Sequence, residues 1–121
     1  MPLQASQIDF TQFRAQDASN DKRQRYGMYT GPVSYSNFFT NSGTGDPVIP
    51  GDLGLGAIHQ LNFEAAVNIS GVFYTLVYLT PNQIPLLVNG GIIWYVGTTG
   101  LEAANGTNLS GYSSYFAAVG Y

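Results

Sequence analysis

Beyond residue 25 helix signals are nearly absent from this chain. From Tyr26 to Tyr121 no window repeats apolar residues at i, i+3, i+4 and i+7 without a glycine or proline breaking it, and all 15 glycines fall at or after Gly27. The stretch holds instead short β-branched and aromatic runs set between Gly, Pro and Asn clusters. Val72–Leu79 is apolar on both faces and ends at Pro81-Asn82, which predicts a central strand. Ile92–Val96 is entered through Gly90-Gly91 and left at Gly97, and Tyr115–Val119 closes the chain as a third such run. Leu76, Val77, Ile93 and Val119 are the expected core positions of these strands. Ala57–Glu64 alternates with one slip: Ile58 opposes His59, then Leu61 and Phe63 oppose Asn62 and Glu64, a pattern that a β-bulge would absorb or a turn would break. Weaker strands are expected near Gly27–Tyr35, where Pro32 marks an edge or bulge, and at Leu86–Val88. Strands spaced about ten residues apart by turn signals read as a sandwich or barrel. No helical crossover fits between them, so a parallel sheet is excluded. The expectation is an all-β fold, an antiparallel β-sandwich of jelly-roll-like form.

A chain of 121 residues can bury roughly two-thirds of its unfolded surface, enough for one core. With no cysteine, it has no disulfide framework, thiolate zinc site or cysteine nucleophile. Hydrophobic residues make up 45% and aromatics 14%, so this is not the composition of a disordered chain. Charged residues are only 9%, against about 25% in an average soluble domain.

Those charges are unevenly placed. The basic residues Arg14, Lys22, Arg23 and Arg25 all precede Tyr26, and from there to the end the only charges are Asp46, Asp52, Glu64 and Glu102. A free monomer spreads charges of both signs over its surface. Either Asn, Ser, Thr and Gln solvate this body, or an assembly covers several of its faces; the second fits better. The charge break divides the chain into residues 1–25, an N-terminal arm, and residues 26–121, a single domain. In the arm, Ser6-Gln7-Ile8-Asp9 could open a short helix with Ile8, Phe10 and Phe13 on one side, or Ile8 and Phe10 could alternate along an extended segment. Asp17–Arg25 has no apolar anchor except Ala18 and should be exposed or mobile in isolation. Ile8, Phe10 and Phe13 as anchors, with Arg14, Lys22, Arg23 and Arg25 steering toward an acidic surface, would dock this arm onto a protein partner.

No residue pattern names a reaction. His59 is the only histidine and has neither a nucleophile nor an orienting partner in its pattern. Asp46 and Asp52 lack the alternating acids and closing Glu of a calcium loop, and read as turn chemistry. Gly51, Gly54 and Gly56 cluster without a following helix or lysine, so they do not make a phosphate loop. Glu64 and Glu102 would have to face each other across a cleft to cleave a glycoside, and nothing in the pattern places them together. Four cations and a net charge of −3 argue against nucleic acid. No cofactor, no metal and no enzymatic activity are expected. No apolar run reaches the roughly 20 residues of a membrane span, and the N-terminus lacks a secretory pattern, so synthesis in a cytoplasm is expected. Three Asn-X-Ser/Thr matches, at Asn68, Asn105 and Asn108, are expected by chance in so Asn- and Ser-rich a chain. The aromatics, among them Trp94, Tyr112, Tyr115 and Tyr121, suit protein contact or sugar stacking.

The segments Gly51–Glu64, Gly91–Val96 and Gly100–Ser113 resemble small structural proteins of tailed phage particles. They are similar in particular to the β-sandwich cement, or decoration, proteins on the outside of an icosahedral head. That resemblance implies a non-enzymatic protein of the virion, made in the host cytoplasm. Such a protein binds the major capsid protein and often itself, as a dimer or trimer. It brings no residue motif, so no residue's role is carried over. The other readings are a tail or neck component of the same particle, and a carbohydrate-binding β-sandwich module.

Overall fold

The structure, a computed structural model, describes residues 8–9, 15–19, 22–39, 41–67, 71–80 and 90–121. The described chain is all-β. Its strands are β1 (Ile8–Asp9), β2 (Ala15–Ser19), β3 (Lys22–Thr30), β4 (Asp46–Pro47), β5 (Ile58–Phe63), β6 (Ala66–Val67), β7 (Phe73–Leu79), β8 (Gly91–Val96) and β9 (Ser113–Gly120). The helical element described is a single 3-10 turn at Pro50–Leu53.

Every pairing is antiparallel, and the strands join in one hydrogen-bonded sheet ordered β1-β3-β9-β6-β7-β8-β4, with β2 also on β3 and β5 also on β9. β9 lies at the centre of one half, with β3 along one edge from Arg23↔Gly120 to Thr30↔Ser113 and β5 along the other. The two-residue β6 leads from β9 to β7, and so to the other half. The described strands thus form two halves of one continuous antiparallel sheet.

Directly opposed residues of antiparallel strands share a face, so register sorts the side chains. One face carries Ile8, Tyr29, Phe116, Ala118 and Leu61 in the β9 half, and Leu76, Trp94 and Ile92 in the β8 half; all are buried. These two surfaces meet. The rings of Tyr29 on β3 and Trp94 on β8 lie 5.8 Å apart. Trp94 Nε1 donates to Tyr29 OH at 3.1 Å, and Tyr29 OH donates to Asp46 Oδ2 on β4 at 2.5 Å. This chain of buried polar groups satisfies the tyrosine hydroxyl and the indole N–H inside an apolar layer, where an unmade bond would be costly. Burial raises the Tyr29 pKa well above the ordinary tyrosine value, and the neighbouring Asp46 carboxylate raises it further.

The strands expected at Val72–Leu79, Ile92–Val96 and Tyr115–Val119 are β7, β8 and β9, and the slip near His59 is a register shift between Ile58 and Gln60. Burial on both faces holds for Gly91–Trp94 of β8 but not for β7. Val77 is 43% exposed and Thr75 is also exposed, because nothing described covers the outer face of β7. Val119 is only half-buried, since it lies on the outer face between Gln24 and Gln60. The strand expected at Gly27–Tyr35 starts earlier, at Lys22, and ends at Thr30.

The division at residue 25 falls inside β3, and the described residues of the Asp17–Arg25 stretch are paired as β2 and β3. Backbone pairing to β9 as far as Gly120 extends β3 without requiring an apolar pattern. Leu86–Val88 lies outside the described residues.

Candidate functional site

Of the residues expected to dock an arm, Ile8 and Arg25 are the two whose side chains are described, and both make contacts within the chain. Ile8 is 8% exposed, opposite Tyr29 in the chain's own core, so it is no free anchor. Arg25 Nη2 donates to Gly54 O at 3.1 Å, and its guanidinium lies over Gly54, where a Cβ would meet it at 2.9 Å. Gly54 has φ +71°, so glycine is favoured there both by backbone and by this close approach. Arg25 thus fastens the 3-10 turn to β3. The backbones of Lys22 and Arg23 belong to β3. Phe10, Phe13 and Arg14 lie outside the described residues.

The other candidates are equally separate. His59 is exposed and meets Tyr121 edge-on, with ring centroids 4.5 Å apart. Asp46 is fully buried under Tyr29. Asp52 sits in the 3-10 turn. Among the described residues no three His, Cys, Asp or Glu side chains converge as a metal site would need.

A built surface does exist where the loop leaving β3 runs beside the loop between β8 and β9. At Gly31 the chain passes so close to Leu109 and the Trp94 ring that a Cβ would collide with both. From there the two segments are laced together. Leu109 N donates to Pro32 O at 2.8 Å, Tyr35 N to Thr107 O at 3.0 Å, and Gly106 N to Tyr35 O at 2.7 Å. Asn37 is buried and its Nδ2 donates to Ala103 O at 2.7 Å.

Glu102 is the fastener. Its Oε2 accepts from Tyr35 OH at 2.6 Å and from Phe38 N at 2.7 Å, while Oε1 accepts from Phe39 N at 2.8 Å. Tyr35 OH accepts in turn from Trp94 N at 3.1 Å, so the lacing reaches the core. Burial raises the Tyr35 pKa far above the ordinary tyrosine value, and its hydrogen bond to Glu102 raises it further.

On this hydrogen-bonded double loop Tyr35, Ala103 and Leu109 turn inward, while other apolar side chains stay exposed. Phe39 is 59% exposed and Leu101 69%. Phe39 stands edge-on to Phe38 at 4.7 Å and 6.4 Å from the Tyr95 ring. Between them a hollow of about 480 Å³ is lined by Asn37, Phe39, Tyr95, Gly100, Leu101, Glu102 and Ala104. A second hollow, of about 300 Å³, lies on the outer face of β3, β9 and β5 and includes Tyr26, Asn62, Glu64, Tyr115 and Ala117. Among the described residues, each of these two hollows has a single carboxylate in its lining.

Sequence reasoning passed over Phe39, Leu101 and the fastening role of Glu102. The available signal was the apolar pair Phe38-Phe39 inside an otherwise polar, glycine-broken loop. The chain matches no protein-family model, no curated protein and no solved structure.

Proposed function

We propose that this chain is a non-enzymatic structural protein of a virus particle, a decoration protein that binds the major capsid protein lattice through its laced double loop. The observation that carries this reading is the presentation of Phe39 and Leu101, 59% and 69% exposed, on backbone held by Glu102. Large apolar side chains fixed in advance of binding lose little freedom when a partner covers them, and such anchors carry most of the affinity of protein interfaces. The carboxylate beneath them is occupied by three donors, so it contributes position rather than proton transfer. A body without a single Lys or Arg after Arg25 is suited to a surface covered in an assembly. Binding the assembled lattice alone stabilises it by mass action.

The test is co-sedimentation of the purified chain with empty tailed-phage heads. Wild type should pellet with heads. The double variant Phe39→Ser, Leu101→Ser should bind at least about tenfold more weakly while keeping its β-sheet circular dichroism. Failure of the wild type to bind heads, binding to tails instead, or undiminished binding of the folded double variant would each overturn the reading.

A further inference from the structure

The second hollow has a different chemistry, and it lies on another face of the molecule. Tyr26 and Asn62 both oppose Ala117, one from β3 and one from β5, so these three residues form a single rung across the sheet with the smallest side chain in the middle. Tyr115 stands two residues along β9 on the same face, and Glu64 N donates to Tyr115 O at 3.1 Å. The Ala117 methyl makes the floor, the tyrosines one wall, and the amide and carboxylate of Asn62 and Glu64 the other. Tyr26 is 38% exposed and Tyr115 49%, although each lies beside a hollow of about 300 Å³, at the small end of ligand-site volumes. Tyr26 OH donates to Gln24 Oε1 at 2.7 Å, which leaves the hydroxyl oxygen's lone pairs able to accept.

We propose that this groove binds a neutral saccharide. Among the described lining residues Glu64 is the charged one and none is a cation, which disfavours phosphate, nucleotide and sulfated ligands. A purely apolar ligand would strip water from Asn62 and Glu64 without replacing their hydrogen bonds. A sugar ring answers both walls: its C–H face lies on a tyrosine ring, and its hydroxyls reach the amide and the carboxylate, which together offer donors and acceptors. The proposal is independent of the particle role, because it uses none of the double-loop residues.

The experiment is a titration of the full, ¹⁵N-labelled chain with cellotriose, maltotriose, chitotriose and galactose as separate probes, followed by amide chemical shifts. At least one should shift β9, β3 and β5 resonances around Ala117 at concentrations up to the millimolar range of weak small-ligand sites. Tyr115→Ala should weaken that binding by about tenfold or more, Tyr115→Phe should keep most of it, and Glu64→Gln should weaken it by a smaller factor. If Tyr115→Ala does not fold, the Glu64→Gln titration decides: affinity equal to wild type overturns the proposal. It is also overturned if none of the four sugars shifts these resonances. Binding of tetramethylammonium in place of every sugar would mark the tyrosines and Glu64 as a cation cage and overturn it too.

Discussion

The two halves of the sheet are held by different forces. In the half around β9, both edges of the central strand are taken by long ladders, β3 over its full length and β5 on the other side, while the outer face carries Tyr26, Tyr115 and Val119 with little above them. In the half around β8, one edge is paired with β7, but β4 covers only Ile92 and Gly91 of the other. The rest of that edge belongs to loops: Ala103 N donates to Trp94 O at 2.8 Å and Val96 N to Leu101 O at 2.7 Å. Loop also covers the outer face there. Ile93 is completely buried, and a Cβ at Gly45 would meet its Cδ1 at 2.6 Å, whereas its cross-strand neighbour Val77 is 43% exposed. One half therefore rests on strand pairing, the other on side chains that tie loops down. The proposed saccharide groove lies on the first of these halves, and the proposed partner surface on the tied loops of the second.

The hardest way to break the ladder half is to remove residues 1–25. This deletes Ile8 from the core and strips Arg23, Gln24 and Arg25 from their pairing with β9. Marginal stability leaves little reserve against such a loss, since domains are stable by only about 5–15 kcal/mol. The truncated chain is expected to be unfolded or aggregated, with no cooperative melt by circular dichroism. A truncated chain that melts cooperatively within a few degrees of the full one would show that the ladder half stands without its N-terminal strands.

A gentler comparison uses one cross-strand pair. Ile93→Ala should cost about 2–5 kcal/mol, as deletions in filled cores do. Val77→Ala, opposite it on the same outer face, should cost under about 1 kcal/mol, near the range of surface sites. Urea midpoints of the two variants measure the difference that the covering loop makes. Equal costs would mean that the loop does not shelter Ile93.

How much of this was legible in the sequence follows the same division. β7, β8 and β9 announced themselves through β-branched and aromatic runs, and the bulge beside His59 through a slip in alternation. β2 and the start of β3 did not, because a strand can be held by a neighbour's backbone without any apolar pattern of its own. Val77 and Ile93 look alike in sequence; what separates them is a loop ending at Gly45. Glu102 gave no local sign of its role, since its partners Tyr35, Phe38 and Phe39 lie 63 to 67 residues away. The groove at Ala117 becomes visible only when the β3, β9 and β5 registers are laid side by side.

The smallest expected effect tests the junction between the halves. Tyr29 links β3 to Trp94 on β8 and Asp46 on β4, and its pKa is raised chiefly by burial. Tyr35 in the tied loops is raised for the same first reason. A raised folded pKa means that, above the ordinary tyrosine value of about 10, the unfolded chain loses protons that the folded chain keeps. The stability these hydroxyls contribute is therefore complete below about pH 10 and is lost as pH rises beyond it. At about pH 11 each should cost the fold about 1 kcal/mol, from the linkage of one proton over one pH unit. Urea midpoints should stay flat approaching about pH 10 and then fall. Tyr29→Phe should start from a lower midpoint at neutral pH, because the hydroxyl that bridges Asp46 and the Trp94 N–H is gone, and should then fall less steeply in alkali. If Tyr29→Phe and wild type fall in parallel, the alkaline loss does not come from Tyr29, and the two halves are not joined through its proton.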